Sequence, residues 1–298
     1  MSISETKREI EILRGGISDY ELLDSGGRQR LERFGPMLIV RHEPKAWWRK
    51  TLSAYEWAKC TAEYDINKKW IFTPSYTSYP FVMQHGPLRF EAKISGSSRH
   101  LGVFPEQSPH WDFIMSFKDQ IELRKGEKPR LLNLFAYTGG ASLAGAFAGF
   151  ETVHLDASKP AIEWAKRNFQ LSGLSNKPVR FILDDASKFI RREIRRGRTY
   201  DAIILDPPSF GRGPAKELWK AEDSIAELLA DCVKLLSNNP LFIILTMYNI
   251  EASALTLANL LEDAIGNRQG KLSCGELVLQ ERASSKFLSL SIFSKIVF

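Results

Sequence analysis

Residues 200–219 read YDAIILDPPSFGRGPAKELW. The run from Ala202 to Leu205 is apolar at every position and ends on Asp206, two prolines and, after Ser209, Phe210. A short run with no polar alternation fits a strand buried on both faces, as in a parallel sheet sandwiched by helices. Pro207 and Pro208 have fixed φ and no N–H, so they stop the strand and stiffen its exit. The carboxylate of Asp206 then stands at the carboxyl end of a buried strand, where open α/β sheets bind their ligands.

Working outward, the same rhythm repeats on both sides. RLLNLFAY (130–137), TVHLD (152–156), VRFILDD (179–185) and LFIILTMY (241–248) read as further strands. Helical stretches follow them, at ASLAGAFAGF (141–150), KPAIEWAKRNFQLSG (159–173), ASKFIRREIRRG (186–197), 220–236 and EASALTLANLLEDAIG (251–266). WDFIMSFKDQIEL (111–123) reads as one helix ahead of them. Repeated strand–helix units imply a parallel sheet with helices on both faces. The last two strands, GELVLQER (275–282) and FLSLSIFSKIVF (287–298), are joined by a short turn and must be antiparallel. The expectation is α/β: five parallel strands plus a C-terminal antiparallel hairpin, spanning residues 101–298. Residues 1–100 read differently. Their aromatic residues and short apolar runs separated by Gly, Pro and Asp predict a small β or α+β domain, with Trp47, Trp48, Trp57 and Trp70 supplying its core.

The totals set the frame. The chain has 298 residues, 44% hydrophobic and 26% charged, with a net charge of +6. Cys60, Cys232 and Cys274 lie far apart without a CxxC pair, which argues against a disulfide framework or a structural metal site. No apolar run approaches the roughly 18 residues of a spanning helix. The start, MSISETKREIEIL, lacks the apolar core of a signal peptide, so a cytoplasmic protein with no membrane partner is expected.

Function is sought at the strand ends. The first parallel strand runs into Phe135, Tyr137, Thr138, Gly139 and Gly140, where two glycines before a helix let backbone approach a ligand. No GxGxxG and no P-loop is present. The second strand ends at Asp156-Ala157, where a carboxylate can accept the hydroxyl protons of a ribose, or cap the helix after Ser158. The third ends in Asp184-Asp185, with a helix cap again the alternative to an adenine amine contact. Acidic strand ends without a phosphate cradle point to a nucleoside that carries no pyrophosphate.

FAYTGG (135–140), LDAS (155–158), LDDA (183–186) and LDPPSFGRG (205–213), in this order, resemble the class I S-adenosylmethionine-dependent methyltransferases. More closely they resemble the branch with the bacterial 23S ribosomal RNA methyltransferases, including the large-subunit cytosine enzymes. The resemblance implies a Rossmann-like methyltransferase sheet and S-adenosyl-L-methionine as cofactor. It implies that Phe135, Tyr137 and Gly139 line its methionine part and that Thr138, Ala157 and Asp206 also bind the cofactor. Asp156 would then hold the ribose and Asp185 the adenine amine, with Asp184 an adjacent candidate. Asp206, Pro207 and Phe210 form the catalytic turn in this reading. Asp206 and the Pro207 carbonyl accept hydrogens from an exocyclic amine, and Phe210 stacks on the base.

One departure bears on the chemistry. Carbon 5 of cytosine is a poor nucleophile and needs covalent activation by a thiolate. The cysteine of the resembled cytosine enzymes is missing from the matching stretch here, Leu245-Thr246-Met247-Tyr248-Asn249. Methylation at a nitrogen is therefore expected. Gln107 and Tyr248 are candidate substrate contacts, and His110 reads as a hydrogen-bonding partner or a cap element. Two basic clusters, Lys188/Arg191/Arg192/Arg195/Arg196/Arg198 and Arg28/Arg30/Arg33/Arg41/Lys45/Arg49/Lys50, favour an RNA phosphate track, with Arg212 beside the site. The partner expected is ribosomal RNA, and a homodimer is compatible with the sequence. The alternatives are a small-molecule or protein methyltransferase, or a non-catalytic RNA- or cofactor-binding relative.

Overall fold

The computed structural model describes residues 9–65, 67, 69–74, 80–96, 98–124, 126–212 and 218–298. The chain enters through β1 (Ile10–Arg14) and then builds a five-stranded sheet. Its strands are β2 (Tyr20–Gly26), β3 (Gln29–Phe34), β4 (Met37–His42), β5 (Ala62–Tyr64) and β6 (Trp70–Phe72), with the one-turn α1 (Ala54–Trp57) between β4 and β5. A hairpin of β7 (Phe81–His85) and β8 (Leu88–Ala92) follows, then a short 3₁₀ turn at Pro105–Gln107, α2 (Ser108–Met115) and α3 (Lys118–Leu123).

The expected alternation comes next. It runs β9 (Arg130–Leu134), α4 (Gly140–Ala148), β10 (Glu151–Asp156), α5 (Lys159–Leu171), β11 (Val179–Leu183), α6 (Ala186–Arg195) and β12 (Ala202–Leu205). A two-stranded ribbon of β13 (Phe210–Arg212) and β14 (Leu218–Lys220) leads to α7 (Ala221–Lys234), β15 (Phe242–Tyr248), α8 (Ala254–Ile265), β16 (Lys271–Gln280) and β17 (Phe287–Val297). The main sheet has eight strands in the order β1-β16-β17-β15-β12-β9-β10-β11. Strands β9, β10, β11, β12 and β15 are mutually parallel, and β17 runs antiparallel to both β15 and β16. The chain leaves β9 for β10 and β11 on one side, then crosses back to β12 and β15 on the other. The switch point lies between β9 and β12, the crevice where such sheets bind ligands.

Why β12 is apolar throughout is now visible. Ile204 packs with Leu131, Leu143, Phe150 and Phe242 on one face, while Ile203 and Leu205 pack with Leu132, Phe189, Leu229 and Ile243 on the other. Both faces are core, so no position is left for a polar side chain.

Several expectations are corrected. The stretch 111–123 is two helices, because the Ser116 hydroxyl donates to the Phe113 carbonyl at 2.7 Å and competes with the helical ladder. Of the four tryptophans, Trp57 is buried but Trp47 is 80% exposed. β1, from the segment assigned to the N-terminal unit, extends the main sheet by pairing in parallel with β16. Gly275 permits this, since a Cβ there would fall 1.8 Å from the Glu11 carbonyl oxygen. In the basic clusters, Arg30 and Arg41 are buried among carboxylates, Arg33 pairs with Glu21, and Arg191, Arg192 and Arg196 pair with Glu227, Asp184 and Glu193.

Candidate active site

The carboxyl ends of β9, β10, β12 and β15 open onto one cavity of about 540 Å³, a size suited to a nucleoside-like ligand. Of the expected site residues, Phe135, Tyr137, Asp156, Ala157, Asp185, Asp206, Pro207 and Tyr248 line it. Phe135, Tyr137 and Asn249, all on its wall, have φ of 57°, 48° and 50°. Left-handed backbone is costly for such side chains and is found where function repays it.

The loop after β9 is clamped from beneath. The Thr138 hydroxyl donates to the Gly102 carbonyl at 2.6 Å, and the Asn168 amide donates to the Thr138 carbonyl at 2.9 Å. Gly139 adopts φ 94° at the start of α4, where only glycine is unstrained. Under this loop lies a second hollow of about 70 Å³, lined by Gln107, Thr138 and Gly139 and sharing Phe135, Tyr137 and Asp206 with the large cavity.

The Asp156 carboxylate accepts from the backbone N–H groups of Tyr137 and Ser158, both at 2.8 Å, so its position is fixed from two strand ends. Burial raises its pKa above the usual carboxylate range. Asp185 lines the cavity and also caps α6, accepting the Lys188 N–H at 2.9 Å. Asp184 is absent from the cavity wall and pairs with Arg192 at 2.7 Å.

Asp206 sits at the floor of the cavity. Burial, reinforced by the nearby Glu106, pushes its pKa up to about 8. The Gln107 amide donates to Asp206 Oδ2 at 3.3 Å and to the Tyr248 hydroxyl at 3.0 Å. Gln107 Oε1 lies 3.1 Å from His110 Nδ1, which assigns that nitrogen as the donor. Burial holds the His110 pKa at about 3, so the ring is neutral. Histidine here is the supporting group that fixes the orientation of the Gln107 amide.

Phe210 does not line the cavity: it lies on β13 and is 57% exposed. Trp219, on β14, lines the cavity instead. Its Nε1 donates to the Pro208 carbonyl at 2.7 Å, and its ring meets Phe135 with centroids 5.6 Å apart. The β13–β14 ribbon turns Trp219 back over the DPP exit. The signal for it was in the opening stretch, eleven residues beyond the second proline, but only the ribbon brings it inward. The Arg212 side chain lies outside the described residues. Sequence reasoning also missed Arg99, His100 and Phe104, which line the cavity from the side of the N-terminal sheet. None of the three cysteines lines it, and among the described residues no cluster of ligands for a metal ion occurs. No helix among them is long and apolar enough to cross a membrane.

An open α/β sheet with a nucleoside-sized, carboxylate-rimmed cavity at its switch point is the Rossmann-like methyltransferase architecture. Residues 113–252 match the family model described as S-adenosylmethionine-dependent methyltransferase. The chain is 37% identical to the crystal structure of the SAM-dependent methyltransferase from Agrobacterium tumefaciens, covering 98% of this chain and 97% of that one with a TM-score of 0.89. The structure of SMU.776 complexed with SAH shares the fold at 17% identity and a TM-score of 0.74, over 94% of this chain and 76% of that one. Among curated relatives, the Ribosomal RNA large subunit methyltransferase K/L of Shewanella frigidimarina is 39% identical over 117 residues. That match covers 39% of this chain but 16% of the relative. The corresponding protein of Shewanella baltica is 40% identical over 116 residues, 38% of this chain and 16% of the relative. The matched segment is thus a small part of those longer proteins. The chain belongs to the S-adenosylmethionine-dependent methyltransferases, and S-adenosylmethionine is its methyl donor. The cavity fits that donor on its own chemistry. A carboxylate held by two backbone N–H groups faces an apolar, aromatic pocket, as a ribose and a sulfonium-bearing chain require.

Proposed function

We propose that this chain methylates a nitrogen of an RNA base, with ribosomal RNA as substrate. The observation that carries the reading is Asp206, set at the cavity floor within hydrogen-bond distance of Gln107, with no thiol on the cavity wall. Cytosine carbon 5 would need a thiolate, whereas an amine needs only hydrogen-bond acceptors and a place for its proton.

The donor supplies an electrophilic sulfonium methyl. The protein's share is placement and proton handling. Asp206 and the Pro207 carbonyl accept the hydrogens of an exocyclic amine and direct its lone pair toward the methyl, so alignment supplies most of the rate. A carboxyl group with a pKa of about 8 is well matched to taking the proton that leaves the methylated nitrogen near neutral pH. Gln107 and Tyr248 hold the Asp206 side of the pocket, and Trp219 offers a face for the base in place of Phe210. Asp156 holds the ribose and Asp185 the adenine amine of the donor, while Phe135, Tyr137 and the Thr138–Gly139 loop enclose its methionine end.

RNA as partner draws on the relatives named for ribosomal RNA methylation and on the net charge of +6. We assign residues 1–100, apart from β1, to an RNA-contacting unit and residues 101–298 to the transferase. The test is transfer of a tritiated methyl group from the donor to ribosomal RNA of a strain lacking the gene, followed by nucleoside analysis. An N-methylated base is expected. Label in 5-methylcytidine, or none in RNA, would refute the reading.

A further inference from the structure

Arg99 is a cation that the transfer chemistry above does not use. It lies on the wall of the large cavity, which also holds Asp206 and Tyr248. Its surroundings are basic. Arg30 and Arg41 are buried close by, and their charges, added to burial, lower the pKa of Arg99. Those two arginines have their own partners: Arg41 binds Glu32 through two bonds of 2.6 Å, and Arg30 lies 3.2 Å from Glu32 and 3.6 Å from Glu43. Glu32, Glu43 and the nearby Glu106, all buried, thus face the Arg30 and Arg41 guanidinium groups. Glu43 attracts Arg99, but no ion pair forms with Arg99 among the described residues.

The position of Arg99 is nonetheless built. Arg41 Nη1 donates to the Arg99 carbonyl at 3.0 Å, tying this backbone to the buried network of the N-terminal sheet. In that network Tyr20 also donates to Glu32, at 2.8 Å. Arg99 Nε reaches His100 Nε2 at 3.5 Å, at the limit of a hydrogen bond. Burial and the neighbouring arginines hold the His100 pKa well below its ordinary value, so this ring is a neutral acceptor for Arg99 and no rival cation. The His100 ring packs on Phe104, and Phe104 packs on both Tyr137 and Tyr248, so the aromatic wall of the cavity props the pair.

Arg99 is half-buried, and a guanidinium partly withdrawn from water without an ion-pair partner is costly and is retained where a ligand supplies the missing charge. Its planar fork matches the paired oxygens of a carboxylate or phosphate. We propose that Arg99, oriented by His100, is an oxyanion subsite of this cavity. Two anions reach a methyltransferase cavity of this kind: the carboxylate of the donor and a backbone phosphate of the target nucleotide. The second source rests on the RNA reading above; the first does not.

The test compares wild type with Arg99→Ala and Arg99→Gln, each checked for an unchanged thermal transition. Calorimetry measures S-adenosylhomocysteine and 5′-methylthioadenosine, which keeps the nucleoside and sulfur but lacks the carboxylate. Fluorescence anisotropy measures a labelled single-stranded 12-nucleotide RNA. At least a tenfold loss for S-adenosylhomocysteine, with 5′-methylthioadenosine unchanged, is expected if the subsite takes the donor carboxylate. At least a tenfold loss for RNA with both small ligands unchanged, and a shallower salt dependence, is expected if it takes a phosphate. Affinities for all three within twofold of wild type would overturn the proposal. So would equal losses for the two small ligands, which report a disturbed pocket and no anion contact. Should Arg99→Ala unfold, Arg99→Gln keeps much of the side chain's packing and carries the same comparison. A wild-type chain that binds S-adenosylhomocysteine but no RNA removes the RNA reading and leaves the carboxylate arm decisive.

Discussion

The side-chain amide of Gln107 donates to the Tyr248 hydroxyl at 3.0 Å, joining residues 141 positions apart across the floor of the cavity. The same nitrogen reaches Asp206, so a single amide sets the spacing between the strand exits of β12 and β15. Replacement of Gln107 by Leu is expected to lower kcat about 10- to 100-fold through lost alignment. Donor affinity, measured by calorimetry, should stay within about threefold. Replacement by Glu, which loses the donor, should not rescue turnover.

Asp206 sets a pH profile. With a free-protein pKa of about 8, its carboxylate form is the minor one at pH 7 and becomes dominant above pH 8. If the ionised form is the acceptor, kcat/KM rises with pH up to about 8 and then levels. Asp206→Asn should abolish this dependence and slow transfer by at least 100-fold. The sign for stability is opposite: a carboxyl with a raised folded pKa favours the fold while protonated and loses that contribution as pH rises through 8. Thermal melts from pH 6 to 9 should therefore show wild type losing stability relative to Asp206→Asn.

Asp156 accepts two backbone N–H groups and also faces the cavity. Asp156→Ala should weaken S-adenosylhomocysteine binding by at least tenfold in calorimetry, since charged hydrogen bonds are worth about 1.5–3 kcal/mol. An unchanged affinity would remove it from the donor site.

Trp219 and Phe210 separate the two accounts of the stacking face. Trp219→Ala is expected to raise KM for RNA by about 5- to 100-fold, in line with about 1–3 kcal/mol per stacked base. Phe210→Ala should change it less than threefold. The reverse order, read by methyl-transfer kinetics, would restore Phe210 to the role expected from the sequence.

Gly275 lets β1 close the main sheet. Gly275→Ala drives a methyl group into the Glu11 backbone and should cost about 1–3 kcal/mol. Calorimetric melting would register this as a fall of several degrees, while a Gly16→Ala control, with open space at the Cβ position and no left-handed backbone, should fall less.

Much of the architecture was legible in the order of residues. The five parallel strands and the antiparallel terminal pair are where the apolar runs place them, because burial on two faces leaves a continuous signal in the chain. The helix cap at Asp185 was equally readable, since a cap is a contact made within one turn, whereas α5 is capped by Ser158 and not by the Asp156 offered from the sequence. The single helix expected over 111–123 failed on a contact of another kind, a hydroxyl that satisfies a carbonyl three residues back. Trp47 failed because hydrophobic character alone does not say which tryptophan faces inward.

The division is one of distance along the chain. Strand periodicity, the stiff DPP exit and the acidic strand ends are local, so residues 130–248 announce a nucleoside-binding parallel sheet before any folding is considered. Which side chains complete the cavity is decided by contacts between segments far apart. The β13–β14 ribbon turns Trp219 inward in place of Phe210, and Gln107 is drawn between Asp206 and Tyr248. Arg99 reaches the cavity because a buried ion network in the N-terminal sheet anchors its backbone. Packing selects these partners, and no pattern of neighbouring residues encodes them.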